Sequence, residues 1–270
     1  MMLMMKGRRA MKRITVWLLS ILAVFAAFLP FGNPLSEFLV TKNSEIYIEE
    51  KFGDSTYFVE EVNYDFKTGH YYVAVSAPES PDSRFTLYAD MKGKIGHDTY
   101  EDAVVNRWNT AARIDDAYRK AADKVLEGGS IPYEISIGFG EIVFKESGVA
   151  EGEAIADYAV STKTLVLDKE YDIAEMGRKS GKLTVYVYSD DITAEKLAEV
   201  ILEIRKATDE AGVYFKAIDC VVERPQPENG EWRDEQLSVK GFMYDDIYEE
   251  GLIERVESNV KQQKEPNYEK

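Results

Sequence analysis

The side chains that could do chemistry are few and far apart. The chain holds two histidines, His70 and His97, and one cysteine, Cys220. With Asp65 and Asp98 close by in sequence, the two imidazoles could serve as metal ligands. Ligand sets need converging groups, however. His70 falls on the polar side of a predicted strand and His97 in a predicted loop, so exposed histidines are the plainer reading. Asp190-Asp191 precedes a predicted helix and reads first as local capping, with a divalent-ion site as the alternative.

Covalent chemistry has no better footing. No Gly-x-Ser-x-Gly elbow occurs. Ser258-Asn259-Val260-Lys261 matches a nucleophile–base spacing, but on a polar helix without companion motifs. Gly138-Phe139-Gly140 runs on into strand residues, so it is no phosphate loop; it suggests a bulge or bend. Cys220 lies in the strand-like run Tyr214–Glu223, where a thiol packs as a small apolar residue. Glu203 and Arg205, like Asp115 and Arg119, read as helix-surface charges. No catalytic, cofactor-binding or metal-ligating residue is assigned, and no cofactor is expected. Tyrosine is abundant, at 17 residues. Tyr71, Tyr72, Tyr186, Tyr188, Tyr244 and Tyr248 suit sheet packing, or an aromatic contact face for a peptide, glycan or protein partner.

Charge sets broad limits on partners. Formal net charge is −16. The first 13 residues carry five basic side chains (Lys6, Arg8, Arg9, Lys12, Arg13) and no acid, which leaves 28 basic against 49 acidic residues elsewhere. Such a body repels phosphate backbones, so no nucleic-acid partner is expected.

From Ile14 to Phe31 the sequence reads ITVWLLSILAVFAAFLPF, without a charge. As a helix this run spans roughly 27 Å, close to the hydrocarbon thickness of a bilayer. The basic flank before it, and the acids Glu37, Glu45, Glu49 and Glu50 after it, orient the N-terminus to the cytoplasm and the body outside. The rival is a cleaved signal peptide; Ala23, Ala26 and Ala27 make no clean small-x-small site.

The expected organisation is α+β. Residues 1–13 form a cytoplasmic basic segment and 14–32 a transmembrane anchor, with the lipid bilayer as partner. Residues 33–128 form a first α+β domain and 129–262 a second, and 263–270 a flexible tail. In the first domain a helix over about Leu35–Phe52 shows the stripe Leu35, Phe38, Leu39, Ile46 and Phe52. A three-stranded antiparallel meander follows over Tyr57–Phe66, His70–Ala77 and Arg84–Met91. A long helix capped by Thr99 covers it, with Val104, Trp108, Ala111, Ile114, Tyr118, Ala121 and Val125 on one face, and Gly128-Gly129 ends it. The second domain reads strand, short strand at Leu165-Val166-Leu167, strand, helix from Thr193, two strands and a last helix over about Asp246–Gln262.

The run Tyr47-Ile48-Glu49-Glu50-Lys51-Phe52, then Val62-Asn63-Tyr64-Asp65-Phe66-Lys67, Tyr71-Tyr72-Val73-Ala74-Val75, Ser76-Ala77-Pro78-Glu79-Ser80-Pro81-Asp82 and Trp108-Asn109-Thr110-Ala111-Ala112-Arg113 resembles the YfjL-like family. That resemblance implies a small membrane-anchored, extracytoplasmic protein of Gram-positive bacteria, of unknown function, with a second soluble domain. It carries over no catalytic residue. The leading expectation is a membrane-tethered extracytoplasmic binding or envelope-associated protein without catalytic activity, its protein or envelope partner unknown. A carboxylate hydrolase and a cation-sensing ectodomain are the alternatives. Alkaline carbonate extraction of cell membranes should leave the intact chain in the pellet; its release into the supernatant would rule out the anchor.

Overall fold

The computed structural model describes residue 17 and residues 33–53, 56–146, 155–225 and 235–264. The expected anchor, residues 14–32, therefore lies outside the described residues except for Trp17. Residues 1–13 and 265–270 lie outside them as well. Among the described residues no helix is long and apolar enough to cross a membrane. The chain divides into two compact units, Met1–Asn109 and Thr110–Lys270, each α+β and each built on one four-stranded sheet.

In the first unit, helix α1 (Pro34–Phe52) begins at Asn33, whose side chain accepts the Ser36 N–H while its backbone stays extended. Pro34 at the first helical position suits this start. The buried stripe of α1 is Ser36, Val40, Ser44 and Ile48, every fourth residue. This corrects the expected stripe in part: Leu35 is 68% and Phe38 63% exposed, while Phe52 packs on buried Phe85 with ring centroids 5.3 Å apart. Small serines let the helix approach the sheet closely, so residue size, not apolarity alone, chose the packed face.

The sheet is an antiparallel meander, β1 (Phe58–Asp65), β2 (His70–Ala77), β3 (Ser80–Ala89) and β4 (Ile95–Asp98), in the order β1-β2-β3-β4. Strand β4 makes four strands where three were expected. It holds only four residues, too few to show a period. Tyr71, Val73, Val75, Phe85, Leu87 and Ala89 fill the inner face. A bulge between Val59 and Glu61 stands where Glu60 breaks the alternation of β1.

The expected helix from Thr99 is not continuous. The Thr99 hydroxyl accepts the Thr86 N–H at 2.9 Å, so it serves the sheet rather than a helix start. A π turn over Glu101–Val105 follows, then Arg107 at φ 65° breaks the run. Helix α2 (Trp108–Leu126) starts beyond it.

Apart from its first two residues, α2 belongs to the second unit, so the division falls after Asn109 and not at 128. Its partners explain why. Asp115 accepts the Ile142 N–H at 2.7 Å, and Tyr118 donates to the Tyr214 carbonyl at 2.9 Å. The second sheet runs β5 (Ile135–Ile142), β6 (Gly181–Tyr188), β7 (Ala217–Glu223) and β8 (Gln236–Met243), in that order, with β6 and β7 parallel and the other pairs antiparallel. Helix α3 (Ile173–Ser180) leads into β6, and helix α4 (Ala194–Glu210) connects β6 to β7. Helix α5 (Leu252–Lys264) closes the unit.

Thr193 caps α4 as expected, accepting the Lys196 N–H. The short strand expected at Leu165–Leu167 is instead the exit from a single turn at Thr162–Thr164, and Leu165 is buried without strand pairing. Three apolar residues suffice to bury a side chain but do not fix backbone conformation. The 3-10 turn Tyr244–Asp246 delays the last helix.

One carboxylate ties the first unit together. Asp98, its side chain 7% exposed, accepts from Lys51 Nζ and Tyr47 Oη, both at 2.5 Å, and from the Tyr100 N–H at 2.9 Å. Burial by itself would raise its pKa, but these hydrogen bonds outweigh burial and hold it below the ordinary carboxylate value. A depressed folded-state pKa gives stability that is present above the unfolded value and lost as pH falls through the folded one. The first unit should therefore lose stability as pH drops below about 4. Asp98→Asn should cost about 1–3 kcal/mol at neutral pH and flatten that acid dependence, as read by urea unfolding at a series of pH values.

Candidate aromatic groove on the first sheet

The outer face of the first sheet carries a row of side chains set by strand register. Asn63 pairs with Tyr72, Tyr72 with Tyr88, and Tyr88 with His97, one residue from each strand. Alternation sends Tyr71, Leu87 and Asp98 inward and these outward. The Tyr72 and Tyr88 rings meet edge to face at 5.0 Å, and the His97 ring lies flat on Tyr88 at 4.1 Å and 10°. Directly opposed rings of this kind are each worth about 0.5–1.5 kcal/mol beyond their burial. Together with His70, Thr68, Asp90, Lys94 and Gly96 they line a groove of about 400 Å³. That volume lies in the range of small-ligand clefts, about 300–1,000 Å³.

The carboxylates near the groove are engaged locally. Asp65 accepts the Lys67 N–H at 2.9 Å, Thr68 Oγ1 at 3.0 Å and Tyr72 Oη at 3.3 Å. The Lys67 N–H foremost, then the two hydroxyls, hold its pKa below the ordinary value. Asp90 accepts the N–H groups of Lys94 and Lys92 at 2.9 and 2.8 Å, which likewise lower its pKa. Both acids are thus ionised at neutral pH; Asp65 is engaged through both oxygens and Asp90 through Oδ1. The Tyr88 and His97 ring edges are not spent. Among the described residues neither the Tyr88 hydroxyl nor the His97 ring nitrogens have a hydrogen-bond partner. His70 Nδ1 lies 2.8 Å from the Thr68 carbonyl. A carbonyl only accepts, so Nδ1 carries the proton and Nε2 of the neutral ring is left as an acceptor.

The structure brings both histidines and one of the named tyrosines, Tyr72, into this groove. It does not bring Asp98 there, because Asp98 points to α1. His97 stands on β4, not in a loop. Among the described residues no three of His, Cys, Asp and Glu gather where a metal ion could sit. Tyr71 is buried, and Tyr186, Tyr188, Tyr244 and Tyr248 lie in the second unit. Ser258 and Lys261 lie on α5, where Lys261 pairs with Glu257 at 3.6 Å. Asp190 faces Arg224 at 3.9 Å, and the Asp191 N–H donates to Ser189 Oγ.

Cys220 is fully buried, and burial pushes its thiol pKa up. The bulge expected in this strand falls between Ile135 and Ile137, just before Gly138, while Gly140 marks a close approach: a Cβ there would come within 2.7 Å of the Ala122 Cβ. Tyr88, Asp90 and Lys94 were missed as site residues. Alternation puts Tyr88 outward, but only strand pairing sets it against Tyr72 and His97.

Comparison with known families supplies the relationship. Residues 8–99 match the YfjL-like N-terminal domain and residues 117–257 the YfjL-like C-terminal domain. The chain belongs to the YfjL-like family. No curated protein and no solved structure matches it. The two YfjL-like domains fall on either side of the division at Asn109/Thr110, and the C-terminal one begins inside α2, in keeping with that helix packing on the second sheet.

Nitrogen-15 NMR of the neutral His70 ring should show the Nδ1–H tautomer. The Nε2–H tautomer in the folded protein would contradict the Thr68 contact.

Proposed function

We propose that this YfjL-like chain is a membrane-tethered, extracytoplasmic binding protein whose first unit holds a neutral glycan of the cell envelope. The row Tyr72–Tyr88–His97 in the groove carries this reading. A sugar ring offers an apolar C–H face and a rim of hydroxyls. Stacked rings match the face, while the Tyr88 hydroxyl, the His97 nitrogens and His70 Nε2 match the rim. The two charged side chains lining the groove, Asp90 and Lys94, are opposite in sign and offset one another, so the groove recognises through neutral hydrogen bonds and ring contact more than through charge.

Tethering rests on the uncharged run Ile14–Phe31 with its basic flank. It draws support from Leu35 and Phe38, large apolar side chains exposed at the start of α1, within a few residues of that run. Apolar side chains beside a membrane segment gain by lying in the interface.

The full-length protein should bind a tetramer of β-linked N-acetylglucosamine saturably and a charged uronate oligomer less well. Tyr88→Ala combined with His97→Ala should weaken the neutral tetramer about tenfold, since two ring contacts of about 0.5–1.5 kcal/mol are lost. Equal binding by the folded double variant, or no saturable binding by the parent, would sink the glycan reading.

A further inference from the structure

A second cavity lies wholly in the second unit, where α3, the lead-in to β7 and the turn after β8 meet. It encloses about 250 Å³ and is lined by Arg178, Tyr214, Phe215, Lys216, Tyr244 and Asp245. The Arg178 guanidinium lies over the Tyr214 ring, 3.3 Å from its centroid. Among the described residues it has no carboxylate within ion-pair distance. Glu175, the nearest acid on its own helix, is taken by Lys179 at 2.5 Å. Tyr244 is fixed from behind: its hydroxyl donates to Asp209 at 2.7 Å, Arg205 covers one face at 4.2 Å, and Phe215 meets it edge-on at 5.1 Å and 84°. Lys216 pairs with Asp245 at 2.9 Å, and the Asp245 side chain is 74% exposed.

We infer that this cavity is a binding site for a small monocarboxylate with a planar apolar body, anchored by Arg178. Three features decide the class. Stacking on Tyr214 occupies a face of the guanidinium and leaves its N–H edges in plane, the geometry that grips a carboxylate with two parallel hydrogen bonds. Lys216 and Asp245 offset one another, so one cation remains in excess. A phosphate dianion would meet that single cation and the Asp245 carboxylate at the rim. The volume lies below that of drug-sized clefts and takes a single ring, in contact with Tyr214 and Tyr244.

The carboxylate could belong to a free aromatic acid or to a peptide chain ending in an aromatic residue. Ligand-observed fluorine NMR on the full chain tests the site with para-fluorobenzoate, its uncharged amide, and para-fluorophenyl phosphate. Competition with a dipeptide ending in phenylalanine, free or amidated, distinguishes the sources.

The benzoate should bind saturably in the millimolar range or tighter, and at least about tenfold better than the amide. Arg178→Gln, on an exposed helix position, should remove that preference without lowering the melting temperature. Stronger displacement by the free dipeptide than by unlabelled benzoate assigns the site to a chain terminus; the reverse assigns it to a free acid. Equal binding of amide and benzoate by the parent protein overturns the inference, and that comparison needs no variant. Tighter binding of the phosphate, no saturation by about 10 mM, or an unchanged preference in Arg178→Gln overturns it equally.

Discussion

The second unit depends on the space made for one tyrosine ring. Tyr118 is 1% exposed, and its ring is walled by backbone where side chains would otherwise stand. A Cβ at Gly140, Gly177 or Gly181 would come within 2.9, 2.7 or 2.6 Å of Tyr118 atoms. Each glycine belongs to a different piece of structure: β5, α3 and the start of β6. The Tyr118 hydroxyl then donates to the Tyr214 carbonyl, which satisfies the one polar atom that burial would penalise, and burial, with the Asp115 charge nearby, raises its pKa. Helix α2, strand β5, helix α3 and the lead-in to β7 are therefore positioned by a single side chain. Because that lead-in carries Tyr214, Phe215 and Lys216, the carboxylate cavity inherits its shape from a residue that does not touch its lumen.

How much of this was legible in the sequence depended on whether the local signal and the tertiary packing agreed. Thr193 followed by Leu197, Val200, Ile201 and Ile204 states a cap and an apolar stripe together, and α4 forms as read. Strand β2 alternates cleanly between buried and outward residues. In α1 the two signals conflict. Leu35, Phe38 and Ile46 point outward, while Ser36 and Ser44 sit inside, because close helix-to-sheet approach rewards small side chains. Thr99 carries the chemistry of a cap but spends it on Thr86 of the neighbouring strand. The face of α2 was readable from its period; what that face rests on was not, since periodicity says which side is buried and never against what. The glycines that admit α2 were visible in sequence, yet their purpose appears only when Tyr118 is brought to them.

The same limit governs the groove. Alternation alone places Tyr72 and His70 on the outer face of β2. Making a site of them requires the pairing register, which aligns Tyr88 and His97, and a strand too short to be seen. Register is a property of two strands together and cannot be read within either. The carboxylates expected beside the histidines proved to be structural: Asp98 binds α1 and Asp65 holds a turn.

Because β6 pairs in parallel with β7, the two sheets differ in what must happen before they exist. Every neighbour in the first sheet is joined by a short connection, so it can close strand by strand. The central pair of the second cannot close until the whole excursion through α4 has been made and brought back, and distant pairing pays its loop entropy before any contact repays it. Until then the β7-facing edge of β6 has no strand beside it. The later closure therefore belongs to the C-terminal half, where an open strand edge persists longest.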